Sequence, residues 1–112
     1  MKQISAIIRS NRLDEVKQSL INVGVEGMTV AEVRGFGRQR GHTEVYRGSE
    51  YSVDFVPKIM VTILVLEDRV EAILEAITIG ARTGKMGDGK IYVTPVEEVV
   101  RIRNGERGEA AI

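Results

Sequence analysis

A chain of 112 residues has room for one domain and one modest core, so association with copies of itself would add to what it can bury. Lys and Arg number 16 and Asp and Glu number 16, and a formal net charge of zero argues against a general binder of nucleic acid or membrane surface. With no cysteine there is no disulfide, thiolate metal site or cysteine nucleophile, which fits a reducing cytoplasm.

The chain opens MKQISAIIRSNRLDEV, charged within a few residues and without an apolar signal core. No later apolar run approaches the ~20 residues of a membrane helix. Residues 2–9 (KQISAIIR) predict a strand, with Ile4, Ala6 and Ile8 on one face. Asn11 is placed to cap a helix starting near Arg12, with Asp14 and Glu15 in its positive first turn. Leu13, Val16, Leu20 and Val23 form its apolar stripe, and Gly24 ends it. Residues 28–36 (MTVAEVRGF) predict a second strand.

Residues 37–55, GRQRGHTEVYRGSEYSVDF, show no helical period and read as a structureless loop. A loop this long inside a small domain is usually functional or disordered. Run out and back, it would project roughly 30 Å at ~3.3 Å per residue.

The second half repeats the plan. Residues 58–66 (KIMVTILVL) predict a strand. Asp68 is placed to cap a helix, with Glu71 in capping-box spacing and Val70, Ile73, Leu74 and Ile77 as its buried stripe. A glycine-rich turn then leads to the strand KIYVT at 90–94. The fold class is α+β: a ferredoxin-like βαββαβ plan, a four-stranded antiparallel sheet with two helices on one face and a long loop between the second and third strands.

The third strand adds a constraint. Ile59, Val61, Ile63 and Val65 fill one face, while Met60, Leu64 and Leu66 occupy most of the other. Two helices cover one face only, so the second needs another cover. A copy of the same subunit in a closed oligomer is the first choice, and the C-terminal tail is the alternative.

Two clusters could hold an anion. In Thr83-Gly84-Lys85-Met86-Gly87-Asp88-Gly89-Lys90, close glycines let backbone N–H groups converge and Lys90 adds charge. It is no Walker A loop, because it precedes a strand, and a plain turn that needs glycine is the competing reading. Arg101 and Arg103 flank Ile102, and an extended backbone would point both guanidinium groups to one side. With Lys58 and Arg38 at strand ends, these cations suggest a pocket for a nucleotide triphosphate; edge protection is the bland alternative. Catalytic signals are poor: the single histidine, His42, lies in the long loop, and no His or Cys spacing fits a metal. The chain is therefore expected not to be an enzyme, with slow ATP hydrolysis a weaker third reading. The rival class is an RNA-binding ferredoxin-like module, since Arg34-Gly35-Phe36-Gly37 matches the start of an RNA-recognition motif. The match fails at Arg38, Gln39 and Gly41, and stacking aromatics are scarce.

Three blocks along the chain resemble the PII signal-transduction family. G35-F-G-R-Q39 with GHTE and Y46-R-G-S-E-Y51 looks like its T-loop, here 37–55; T83-G-K-M-G-D-G-K90 looks like its B-loop, within 82–90; R101-I-R-N-G-E106 looks like its C-terminal segment, within 95–112. The resemblance implies a single domain over 1–112, a homotrimer, and a cytoplasmic regulator of nitrogen metabolism that binds ATP or ADP at intersubunit clefts. It implies phosphate contacts from Gly87, Asp88, Gly89 and Lys90, with Gly37, Arg38 and Gln39 nearby. Arg101 and Arg103 would reach across from the neighbouring subunit, and Thr29 and Leu64 would lie near the adenine. Gln39 would ligate Mg²⁺, to which 2-oxoglutarate also binds, and Lys58 would pair with the keto acid. Tyr51 and Ser49 match positions that are uridylylated or phosphorylated in branches of the family, and Arg47 would touch partners. Those partners would be an ammonium transporter, a nucleotidyltransferase, an arginine-pathway kinase or a transcription cofactor, with no direct nucleic-acid contact or membrane insertion. The chain departs from the family at Ser10-Asn11, usually Pro-Phe; at Thr62, usually glutamate; and at Met60, often charged.

Overall fold

The structure, a computed structural model, describes residues 1–37, 43–46, 49–52 and 55–112, the two short internal stretches by backbone alone. Strand β1 (Lys2–Arg9) leads through a 3₁₀ turn (Ser10–Arg12) into helix α1 (Leu13–Asn22) and strand β2 (Thr29–Gly35). Short strands β3 (Thr43–Tyr46) and β4 (Ser49–Ser52) follow, then β5 (Val56–Val65), a 3₁₀ turn (Glu67–Arg69), helix α2 (Val70–Ala81) and strand β6 (Lys90–Pro95). The sheet order is β2-β5-β1-β6, every neighbour antiparallel. This is the expected ferredoxin-like plan.

The alternation in β1 and β5 decides where the core forms. Ile4, Ala6 and Ile8 point to the helix side with Ile59, Val61, Ile63 and Val65, and all are buried. Val16 and Leu20 of α1 and Ile73 and Ile77 of α2 close that layer. Gly80 lets the helices meet backbone to backbone: a Cβ there would lie 2.8 Å from the Val16 Cα.

The helix ends differ from expectation. Neither helix has a side-chain cap at its start. Asn11 and Asp68 fall inside the 3₁₀ turns, which carry the chain into each helix. The arginine before each helix instead caps the C-terminus of the other helix. Arg12, before α1, donates from Nε to the Gly80 carbonyl near the end of α2 at 2.9 Å. Arg69, before α2, donates to the Val23 carbonyl at the end of α1. Gly24 ends α1 as expected, at φ 88°, with Val25 N–H on the Leu20 carbonyl and Gly24 N–H on the Ile21 carbonyl.

Strand β5 starts two residues earlier than expected. Pro57 fits because β1 has ended at Arg9, opposite Lys58, and β5 is locally an edge strand. Part of the 37–55 segment is also structured. β3 and β4 pair antiparallel from Thr43↔Ser52 to Tyr46↔Ser49, a hairpin rather than a structureless loop. Four-residue strands are too short to show a period. The base of the segment is held by the Phe36–Phe55 pair, ring centroids 6.1 Å apart.

The other sheet face is open. Leu64 is 39% and Tyr92 46% exposed on it. The tail borders only its Leu64 end, where Ala111 and Ile112 line a cavity of about 620 Å³ with Thr29, Thr62 and Leu64. No helix among the described residues is long and apolar enough to cross a membrane.

Candidate functional site

The glycine-rich loop between α2 and β6 folds against one end of the open face. Its organiser is Asp88, whose carboxylate accepts the Thr83 N–H at 2.8 Å, the Gly84 N–H at 2.8 Å and the Arg9 Nε–H at 2.9 Å, as well as the Thr83 hydroxyl. These donors, the Thr83 hydroxyl first and then Arg9, hold its pKa well below the usual carboxylate range. Asp88 was expected among the phosphate contacts. Its oxygens are taken up by the loop and Arg9, and its N–H lies on the Lys85 carbonyl at 3.3 Å.

Two cations grip the loop from the sheet. Arg9 and Lys58 are cross-strand partners, and strand alternation puts both on the open face. Lys58 is buried, and its Nζ donates to the Gly87 carbonyl at 2.6 Å. Arg9 Nη2 donates to the Met86 carbonyl at 2.6 Å. Burial first and the Arg9 charge second pull the Lys58 pKa down, and Asp88 opposes them. A carboxylate partner would offset the burial and the Arg9 charge that disfavour this ammonium, and two of its three N–H donors remain beyond the Gly87 contact.

Gly87 and Gly89 both have positive φ. Gly89 also passes so close to β1 that a Cβ would lie 1.7 Å from the Ile7 carbonyl oxygen. Lys90 follows, paired with Ile7 at the last rung and exposed. With Asp88 and Gly89 it also borders a cleft of about 410 Å³ between β6 and α2, whose other wall is Leu74, Thr78 and Arg82, on the helix side of the sheet. Gly37 is described and exposed at the other side of the loop base. Arg38, Gln39, His42 and Arg47 lie outside the described residues, and Ser49 and Tyr51 are described by backbone alone, in β4.

Thr29 and Leu64 gather elsewhere. Thr29 pairs with Thr62, and Leu64 lies six residues along β5 from Lys58. At ~3.3 Å per residue that is roughly 20 Å. Arg101 and Arg103 are not on an extended segment. Residues 102–104 form a turn closed by the Val100↔Arg107 bridge, with Gly105 at φ 73°. The Asn104-Gly105 dipeptide explains the turn and was the missed signal. Arg101 donates to Glu106 Oε2 at 3.1 Å and to the Ala110 carbonyl at 2.9 Å. It thus belongs to the end where Ala111 and Ile112 meet Thr29 and Leu64.

The candidate residues therefore fall into two groups at opposite ends of β5. One has the glycine-rich loop with Lys90 and Lys58. The other is an apolar and hydroxyl-lined cavity with Arg69 in its wall and Arg101 near the tail that borders it. Arg9, Thr83 and Phe55 were not singled out by sequence reasoning; the contacts of Arg9 lie 77 and 79 residues away in the chain, where no local pattern reports them.

The family model described as "Nitrogen regulatory protein P-II" matches residues 1–106. A nitrogen regulatory protein P-II of Azospirillum brasilense is 59% identical over 112 residues, covering 100% of both chains. That of Pasteurella multocida (strain Pm70) is also 59% identical with the same coverage. The solved structure of Arabidopsis thaliana PII bound to citrate superposes with a TM-score of 0.81 at 41% identity, covering 99% of this chain and 91% of that one.

Proposed function

Because the chain belongs to the nitrogen regulatory protein P-II family, we propose that it is a homotrimeric cytoplasmic sensor that binds ATP or ADP with 2-oxoglutarate between subunits. It then signals to target proteins through residues 37–55. The observation that carries this reading is the separation of the two groups. Among the described residues neither end of the open face gathers all the groups a nucleotide pocket needs, and a copy laid against that face would bring the other group while covering Leu64 and Met60.

In this reading Gly87, Gly89 and Lys90 hold phosphates with Gly37, Arg38 and Gln39 alongside, and Thr29 and Leu64 of the neighbouring copy flank the adenine. Arg101 and Arg103 of that copy reach the phosphates, Arg101 trading Glu106 for them. Asp88 shapes the loop and makes no phosphate contact. Lys58 pairs with a carboxylate of 2-oxoglutarate, a role supported by its burial and by its place beside the glycine-rich loop; that the Arabidopsis relative is bound to citrate fits a small carboxylate ligand. Mg²⁺ would be held by Gln39 and phosphate oxygens, and it supplies the charge that joins nucleotide to keto acid. The segments 37–55, 82–90 and 95–112 serve as T-loop, B-loop and C-terminal segment of the single domain 1–112.

Partners would be an ammonium transporter, a nucleotidyltransferase, an arginine-pathway kinase or a transcription cofactor, met through Arg47, Ser49 and Tyr51. Modification of Ser49 or Tyr51 would change that contact. The test is calorimetric titration of 2-oxoglutarate with and without Mg-ATP. The reading expects each ligand to strengthen the other by the same factor, typically 1–3 kcal/mol of coupling. Equal 2-oxoglutarate affinity with and without nucleotide would contradict it.

A further inference from the structure

We propose that Arg9 is the positioning residue of the phosphate cradle: by drawing the Met86 carbonyl and the Asp88 carboxylate onto the sheet, it aims the Gly87 amide at the nucleotide. The inference rests on the nucleotide reading above and assigns a role to a residue outside the phosphate contacts. Arg9 ends β1, where a sequence reading sees only a solvated strand terminus. In the folded chain two donors of its planar fork, Nε and Nη2, are both used, at 2.9 Å on Asp88 Oδ1 and 2.6 Å on the Met86 carbonyl. A two-point contact fixes direction as well as distance.

The direction has a consequence. A trans peptide carries its C=O and the next N–H on opposite sides. Pulling the Met86 carbonyl toward Arg9 therefore turns the Gly87 N–H away from the sheet, outward from the loop. The Lys58 contact to the Gly87 carbonyl fixes the next peptide, whose Asp88 N–H closes the turn on the Lys85 carbonyl at 3.3 Å. Arg9 thus sets the orientation of the Gly87 amide before any anion arrives, with Lys58 and the Lys85 carbonyl holding the peptide behind it, which is the preorganisation an anion site needs. Asp88 keeps its own turn through Thr83 and Gly84 without Arg9. Loss of Arg9 should loosen the turn on the sheet, where Lys58 and Gly89 still hold it, without unravelling it.

The test compares Arg9→Gln and Arg9→Lys with wild type by hydrogen exchange over residues 83–88 in the ligand-free protein, and by calorimetric affinity for ATP and for adenosine. Arg9→Gln should exchange faster in 83–88 while the rest of the sheet keeps its protection. It should weaken ATP roughly 10-fold, the scale of one charge-assisted contact, and leave adenosine binding unchanged. Arg9→Lys, which can keep the Asp88 pair, should recover part of the ATP affinity. Wild-type exchange in 83–88 of Arg9→Gln, unchanged ATP affinity, or equal losses for ATP and adenosine would each overturn the inference. A wild-type chain that binds no adenine nucleotide would instead overturn the proposed function, and the phosphate role of Arg9 with it.

Discussion

Gly89 runs over β1 at a distance that leaves no space for a methyl group, and its φ of 92° is one that L-residues avoid. Gly84 has a similar φ of 84° but nothing within contact of its Cβ position. Alanine at 84 should therefore cost about 1 kcal/mol of backbone strain, whereas alanine at 89 must also break the Ile7↔Lys90 rung and should cost about 2–4 kcal/mol. Urea midpoints of the two variants check this; equal midpoints would show that the close approach is not needed. Asp88 gives a second prediction. Its folded pKa lies below the ordinary 3.8, so the unfolded chain takes up a proton before the folded one does. Its contribution is complete above that value and is lost as pH falls below it. Unfolding followed from pH 6 to pH 2.5, two values set by about this window, should show a steeper acid loss in wild type than in Asp88→Asn. Parallel curves would mean the carboxylate contacts do not matter. The sequence made the glycines legible as a turn or an anion loop, and the turn is what the backbone shows. It could not show that Asp88 faces Arg9, because that contact exists only once β1 and β6 pair.

The helix pair shows where element-level reasoning stops. The stripes on α1 and α2 followed from helical spacing, and the buried Val16, Leu20, Ile73 and Ile77 lie where it put them. The expected caps did not, because Asn11 and Asp68 lie inside 3₁₀ turns; Arg12 and Arg69 each cap the C-terminus of the other helix, a tertiary relation that no local motif encodes. Replacing Arg69 with alanine should leave the end of α1 short of a donor and cost about 1 kcal/mol. A larger effect belongs to Gly80, where an alanine Cβ would meet the Val16 Cα at 2.8 Å and the Glu15 carbonyl at 2.9 Å. Gly80→Ala should lower stability by about 1–3 kcal/mol through forced separation of the helices. Thermal unfolding at wild-type temperature would contradict that packing. The hairpin β3–β4 was illegible for a different reason: strands of four residues carry too little pattern to stand out from a polar loop.

At the scale of the molecule, the apolar residues on both faces of β5 predict a second cover for the sheet, and Leu64 at 39% and Tyr92 at 46% exposure lie on the face that one chain leaves open. The ferredoxin-like sheet was legible for the same reason that its open face was. Only the placement of the two groups at opposite ends needed the fold, since Lys58 and Leu64 are neighbours in sequence. Leu64→Asp should abolish assembly, since a charge buried there without a partner costs several kcal/mol, and sedimentation would report the change. The central claim, that one nucleotide site is built from two copies, has a direct test. Lys90→Ala damages one half-site and the paired change of Arg101 and Arg103 to alanine damages the other. Each variant alone should bind ATP poorly, yet refolding them together at equal ratio should restore wild-type affinity at about a quarter of the sites, the random expectation for a closed ring with a heterologous interface. A mixture that binds no better than either variant alone would contradict the shared site.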